Sequence, residues 1–146
     1  MSIVVLAFAC GPRPRAADTP VLSRATRTRG PQQNAAPLVT ALDVKVKNGV
    51  EFAFHVTNTA DKKLEVKFAN GQTHELVVYN ASGREVWRWS TGQMFTQSLQ
   101  NKVLRQSDSL TYDLRWKDAP AGRYVAVATL SSANFPVEQR TEFVVR

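Results

Sequence analysis

The side chains able to do chemistry are few, and their spacing builds no reaction centre. The two histidines, His55 and His74, fall on separate predicted strands, with no partner at metal-ligand spacing. The chain has no HExxH and no CxxC, which argues against a zinc site, and no GxSxG elbow for a serine hydrolase. Its carboxylates stand singly on strand faces, without a pair that could divide acid and base roles. Both histidines therefore read as ordinary sheet-surface residues. The sequence is read as a non-enzyme, with no metal and no cofactor. The single cysteine, Cys10, lies in an apolar leader-like stretch, so no intrachain disulfide can form.

One stretch remains, GREVWRWSTGQMF over residues 83–95. Trp87 and Trp89 are two apart, which puts both on one side of a pleated strand, with Arg84, Val86 and Arg88 on the other. They are expected in the core or at its rim. The segment that follows, STGQMFTQSLQ, places Gly92, Gln93, Met94 and Phe95 in a candidate protein-binding loop with Trp87 and Trp89 as aromatic support. Two arrangements are open: Met94 or Phe95 projects toward a partner, or Phe95 turns inward and caps the core.

The elements that must position this loop follow a period of two. Leu42, Val44 and Val46 alternate with Asp43, Lys45 and Lys47, and Asn48-Gly49 then makes a hairpin turn. Val50, Phe52, Phe54 and Val56 line one face of the next strand. Leu64, Val66 and Phe68 define a third, HELVVYN a fourth and REVWRWS a fifth. Leu110, Tyr112, Leu114 and Trp116 alternate in a sixth. RYVAVATL is apolar on both faces and is predicted to be central. The last strand, EQRTEFVVR, sets Phe143 and Val145 inward. No segment has a helical period. Seven to eight strands with turn signals about every 10 residues predict an all-β fold, an immunoglobulin-like antiparallel β-sandwich over residues 39–146.

The N-terminal part differs in composition. Ile3 to Ala9 is an apolar run, and Ala7, Phe8, Ala9 and Cys10 stand at the four positions of a lipobox, so residues 1–10 read as a lipoprotein signal segment with Cys10 as the lipidated residue. Ala7 stands where leucine is usual, and no lysine or arginine precedes the apolar run. Residues 11–38 carry five of the seven prolines and no aromatic residue. Such a segment buries too little to offset its ordering entropy, and it reads as a disordered tether with a reach on the order of 30 Å. This reading places the protein outside the cytoplasm, lipid-anchored to a bacterial membrane. The alternative is a cytoplasmic protein with an untidy N-terminus.

Charge excludes one further class. The net charge is +7, of which residues 1–38 carry more than half through Arg13, Arg15, Arg24, Arg27 and Arg29 against Asp18. The remainder is mildly basic with signs that alternate along the strands. That is a solvated sheet face, not a phosphate-binding stripe, so no nucleic-acid partner is expected.

From Phe52 to Leu130 the chain resembles the BsuPI family of proteinase inhibitors. The residues that carry the resemblance are Asn58-Thr59 and the strand to Phe68, the run Ser82 to Ser90, Met94-Phe95-Thr96-Gln97, then LTYDLRW and AGRYVAVATL. Arg105 to Ser109 replaces the family's Pro-Gly-Glu type turn with other turn-forming residues. The resemblance implies inhibition of a subtilisin-like serine peptidase, with the partner a protein. Such an enzyme takes large apolar side chains, so Met94 or Phe95 could fill its specificity pocket, provided that the loop is held stiff from beneath. The alternative function is a lipoprotein module of the cell envelope that binds other proteins without inhibiting anything.

Overall fold

The structure, a computed structural model, describes residues 37–146. They form nine antiparallel strands: β1 (Leu38–Val46), β2 (Val50–Asn58), β3 (Leu64–Phe68), β4 (His74–Asn80), β5 (Glu85–Arg88), β6 (Gln100–Leu104), β7 (Ser109–Trp116), β8 (Gly122–Leu130) and β9 (Val137–Val145). The sheets run in the orders β1-β2-β7, β3-β6 and β5-β4-β8-β9. The fold is an all-β sandwich of the immunoglobulin-like type. The segments read as a signal and a tether, residues 1–36, and Cys10 with them, lie outside the described residues.

Alternation decides which side chains meet in the middle. Val50, Phe52, Phe54 and Val56 of β2 oppose Leu76 and Val78 of β4 and Ala126, Ala128 and Leu130 of β8, and all nine are essentially inaccessible to solvent. Burying each phenyl ring contributes about 2–3 kcal/mol. β8 lies between β4 and β9 and buries Val127 on its other face as well, which is why apolar residues occur on both of its faces. Side chains join the sandwich along one side: Thr40 Oγ1 donates to Gln139 Oε1 (2.9 Å) and Thr141 Oγ1 to the Leu42 carbonyl (3.3 Å).

Asn48 and Gly49 both have positive φ, 50° and 107°. The β1–β2 turn packs so closely on the end of β7 that a Cβ on Gly49 would sit 2.7 Å from the carbonyl oxygens of Trp116 and Lys117. Steric exclusion and backbone conformation both require glycine there.

The sequence did not anticipate β6. Its burial alternates, but only Leu104 is buried among QNKVL, so no apolar period marks it. The ladder β2–β7 ends at Thr57↔Ser109 and the ladder β3–β6 begins at Leu64↔Leu104. Both chains therefore break their pairing at the same level and resume it. The node is Asn58, fully buried. Its Nδ2 faces the carbonyls of Lys62, Leu104 and Arg105 (2.9, 3.0 and 3.1 Å), and its Oδ1 accepts from Ala60 N (2.9 Å). Its backbone N–H donates to Asp108 O, and its carbonyl accepts from Ser107 N. Every polar group of the residue is partnered, as a buried amide requires.

Candidate functional site

The two tryptophans enter different aromatic clusters. Trp87 stacks on Phe52 and on Trp116, each at 6.0 Å between centroids. Trp116, Tyr124, Phe143 and Phe52 then close the ring through contacts of 5.1, 5.5 and 5.6 Å. Trp89 instead belongs to a column. From the core outward, Phe54 stacks on Tyr112 (6.2 Å), Tyr112 on His74 (3.9 Å), His74 on Trp89 (4.2 Å), and Trp89 meets Phe95 (5.7 Å, tilted 48°). Such contacts add about 0.5–1.5 kcal/mol per aromatic pair beyond burial. The half-buried Phe95 leans on the column from the loop above, and the next residue outward, Met94, is 97% exposed.

The loop is tied at both ends. Glu75 of β4, whose side chain is only 13% exposed, accepts from Ser90 N (3.2 Å) and from Ser90 Oγ. The same carboxylate accepts from its own neighbour Leu76 N (3.0 Å), from Gln72 Nε2 (3.1 Å) and from Arg88 Nη1 (3.3 Å). A turn follows in which Gln93 N donates to Ser90 O (3.0 Å) and Gln93 Nε2 to Trp89 O (2.9 Å), with Gly92 at φ +79°. At the far end Gly71 N donates to Thr96 O (2.8 Å), and the two chains are so close that a Cβ on Gly71 would lie 2.7 Å from Thr96 Oγ1. Met94 thus stands at the tip of a loop braced on three sides.

The structure puts Gly92, Gln93, Met94 and Phe95 together in one loop and sets Trp89 under it. Trp87 is separate: it supports the core ring and not the loop. Sequence reading gave no anchoring role to Glu75, Gly71 or Thr96, although Thr96 stands in the run Met94 to Gln97 that carries the family resemblance. It also placed His74 wrongly. His74 is not a sheet-surface residue but a half-buried ring between Trp89 and Tyr112, its Nδ1 at 3.1 Å from Thr73 Oγ1. Burial pushes its pKa down to about 4. Glu75 works against the shift and Lys102 with it. Burial likewise pushes the Tyr112 phenol above its ordinary value, which Thr73 partly offsets. The Tyr112 hydroxyl itself is buried without a hydrogen-bond partner among the described residues. His55 is a surface residue, lined up between Asp43 (3.3 Å) and Thr111 (3.0 Å).

Among the described residues no cluster of three or more His, Cys, Asp and Glu side chains could hold a metal ion, and no helix is long and apolar enough to cross a membrane. A shallow groove of about 370 Å³ runs along β5, lined by Glu85, Val86, Trp87, Arg88, Trp89 and Thr91. A larger one of about 580 Å³ lies by the β4–β5 turn, with Tyr79, Asn80, Arg123, Arg140 and Phe143 in its wall, and shares no residue with the loop.

No curated protein matches the chain. Among solved structures, a β-glucuronidase of Bacteroides uniformis is 11% identical with a TM-score of 0.43, covering 75% of this chain and 13% of its own. A penta-heme cytochrome c552 of Thermochromatium tepidum is 11% identical with a TM-score of 0.45, covering 75% of this chain and 40% of its own. A CARDB domain of Pyrococcus furiosus, solved with di-metal ions, is 16% identical with a TM-score of 0.38, covering 75% and 94%. The chain thus spans only a small part of the first of these. The family model described as intracellular proteinase inhibitor matches residues 38–135, from the first residue of β1 to just before β9. That match covers most of the chain and all of the loop and its supports, and it makes this protein a member of the BsuPI family.

Proposed function

We propose that the protein is a peptidase-binding domain that presents the loop of residues 90–99 to the enzyme, with Met94 as the side chain that enters an apolar specificity pocket. Membership of the family supports a proteinase-inhibitor-like function in general. The observation that carries the finer reading is the pairing of a 97% exposed methionine with a loop fixed at both ends. A loop already held in one shape loses little entropy on docking. Phe95 contributes from beneath, by coupling the loop to Trp89 and the column. The partner is a protein, and no cofactor takes part.

The test is a titration of the protein against a panel of subtilisin-like serine peptidases. Inhibition is expected for at least one of them, and Met94→Asp is expected to weaken it at least tenfold, because a carboxylate does not enter an apolar pocket. Inhibition that Met94→Asp leaves unchanged would move the binding surface elsewhere. The absence of inhibition across the panel at tens of micromolar would remove the peptidase reading and leave the envelope protein-binding module in its place.

The finer reading of location is a lipid anchor at Cys10. It rests on the apolar run that precedes the only cysteine of the sequence. Palmitate labelling of the expressed protein that disappears in Cys10→Ser supports it; an unlabelled protein recovered from the cytosol replaces it with the cytoplasmic alternative.

A further inference from the structure

Immediately beyond the loop the chain enters β6, and the two edges of the small sheet β3-β6 are treated differently. The outer edge of β3 is covered. Asn134 accepts from Lys67 N (2.9 Å) and donates to Glu65 O (2.8 Å), Ala133 N donates to Lys67 O (2.8 Å), and Phe68 bridges to Ser132. The outer edge of β6 is bare, since among the described residues β6 pairs with β3 alone. Natural sheets blunt such an edge or use it.

The exposed residues here include two apolar ones. Leu99, just before the strand, is 81% exposed and Val103 on it 60% exposed. With Asn101 between them they share the outward face, while Leu104 points into the core and Gln100 and Lys102 are half-covered. The exposed side chains at alternate positions from the start of the strand are Leu99, Asn101 and Val103.

We infer that β6 is a self-pairing edge, through which two copies of this chain join antiparallel about a two-fold axis at Asn101. Symmetry and chemistry select the register together. A two-fold axis normal to the sheet keeps the two core faces on the same side, and in an antiparallel pair directly opposed side chains share a face. The axis must therefore pass through a residue and not between two.

Three residues are available. An axis at Lys102 sets Lys102 against its own copy and Val103 against Asn101. An axis at Gln100 sets Leu99 against Asn101 and leaves Val103 beyond the paired strand. An axis at Asn101 sets Leu99 against Val103 twice, Gln100 against Lys102 twice, and an amide against an amide at the centre. Only this last register covers both exposed apolar residues with apolar partners and leaves no like charges opposed. Asn101 Nδ2 donates to Glu65 Oε1 (2.8 Å) within one copy, which leaves its carbonyl oxygen available at the axis. The joined sheet has the order β3-β6-β6-β3, with its outer edges already covered by residues 132–134.

The contact is small, so the association is concentration-dependent. Sedimentation velocity of the full chain, from about 5 µM to 1 mM, is expected to show the mass rising from 16.2 kDa toward twice that value. Leu99→Glu and Val103→Lys, both at exposed positions away from the core, are each expected to leave the far-UV spectrum and melting temperature unchanged and to weaken association at least tenfold. The double variant pairs glutamate with lysine at both ends of the same register and is expected to recover it. A wild-type chain that stays monomeric at 1 mM overturns the inference, as do single variants that associate normally or a double variant that is no better than either single one. Should Val103→Lys, which lies outside the loop of residues 90–99, instead abolish binding to a peptidase while the wild type is monomeric, the edge belongs to that enzyme and not to a second copy.

Discussion

Acidification charges a ring that the fold keeps neutral, and the cost can be worked from the aromatic column. His74 has its pKa at about 4 in the folded protein, against an ordinary value of 6.5, because its ring is stacked between Trp89 and Tyr112 and removed from water. Above pH 6.5 the ring is neutral in both folded and unfolded chains, and the full stability is present. Between pH 6.5 and about 4 the unfolded chain takes up a proton that the folded one refuses, so stability falls as the pH falls; below about 4 both forms are charged and the loss levels off. At 1.36 kcal/mol per pH unit the ceiling is about 3 kcal/mol. The ring is only half-buried, so solvent reduces the expected loss to about 2 kcal/mol. Urea unfolding followed by tryptophan fluorescence at pH 7.5, 6, 5 and 4 measures it. Acidification acts on the whole chain, so the informative quantity is the difference between the wild type and His74→Phe, which keeps a flat ring in the stack. That difference should shift by about 2 kcal/mol against the wild type between pH 6.5 and 4. A difference that stays flat refutes the reasoning, as does an NMR titration that places the His74 ring near 6.5.

Two further outcomes test the supports of the fold and of the loop. Asn58→Ala removes the amide that faces the carbonyls of Lys62, Leu104 and Arg105 and holds the Ala60 N–H at the break between the two ladders. It is expected to cost about 3–4 kcal/mol in chemical denaturation, and a loss under about 1 kcal/mol would mean that water or a shift of residues 59–63 replaces the amide. Glu75→Ala unties Ser90 while leaving Met94 and Phe95 in place. It should cost about 2 kcal/mol and raise amide exchange at Ser90 and Gln93 at least tenfold, and unchanged exchange would show that the aromatic column alone holds the loop.

What the sequence displayed and what it hid have physical causes. β2 and β3 were legible because each buries one face and wets the other, so that Phe52 and Phe54 alternate with Glu51 and His55, and Leu64 and Val66 with Glu65 and Lys67. β8 was legible as central because apolar residues, Val125 and Val127, stand on its outer face as well as on its inner one. β6 was hidden because an edge strand with a single buried residue has no apolar rhythm. The tip of the candidate loop was legible from composition: a glycine, polar neighbours and an apolar pair. Its anchors were not. Glu75 looks like any strand carboxylate until β4 and the chain after β5 are brought side by side, and Thr96 acquires its partner Gly71 only when the loop folds back. His74 was misplaced for a related reason: it opens β4, where alternation has not yet begun to indicate which face is inside, and the rings that cover it come from β7 and from Trp89.

The spacing of two tryptophans on one strand face acquires a second meaning in three dimensions. Trp87 locks β5 to the aromatic ring that closes the space between Trp116, Tyr124, Phe143 and Phe52, so its contacts stabilise the sandwich. Trp89, one pleat further on and just past the end of β5, has left the sheet's hydrogen bonds except for one to the Leu76 carbonyl (2.9 Å), and its contacts run up into the loop. A strand of four residues at a sheet edge could not by itself hold a loop of ten in one conformation, since its pairing to β4 is short and carries a register shift between Val78 and Tyr79. The rigidity has to come from side chains: the Glu75 carboxylate at one end, the Gly71–Thr96 contact at the other, and the column between. That division lets the tip residue vary without touching the core, because Met94 contributes nothing to either cluster. The tip can therefore change at one exposed position while the fold that presents it stays the same.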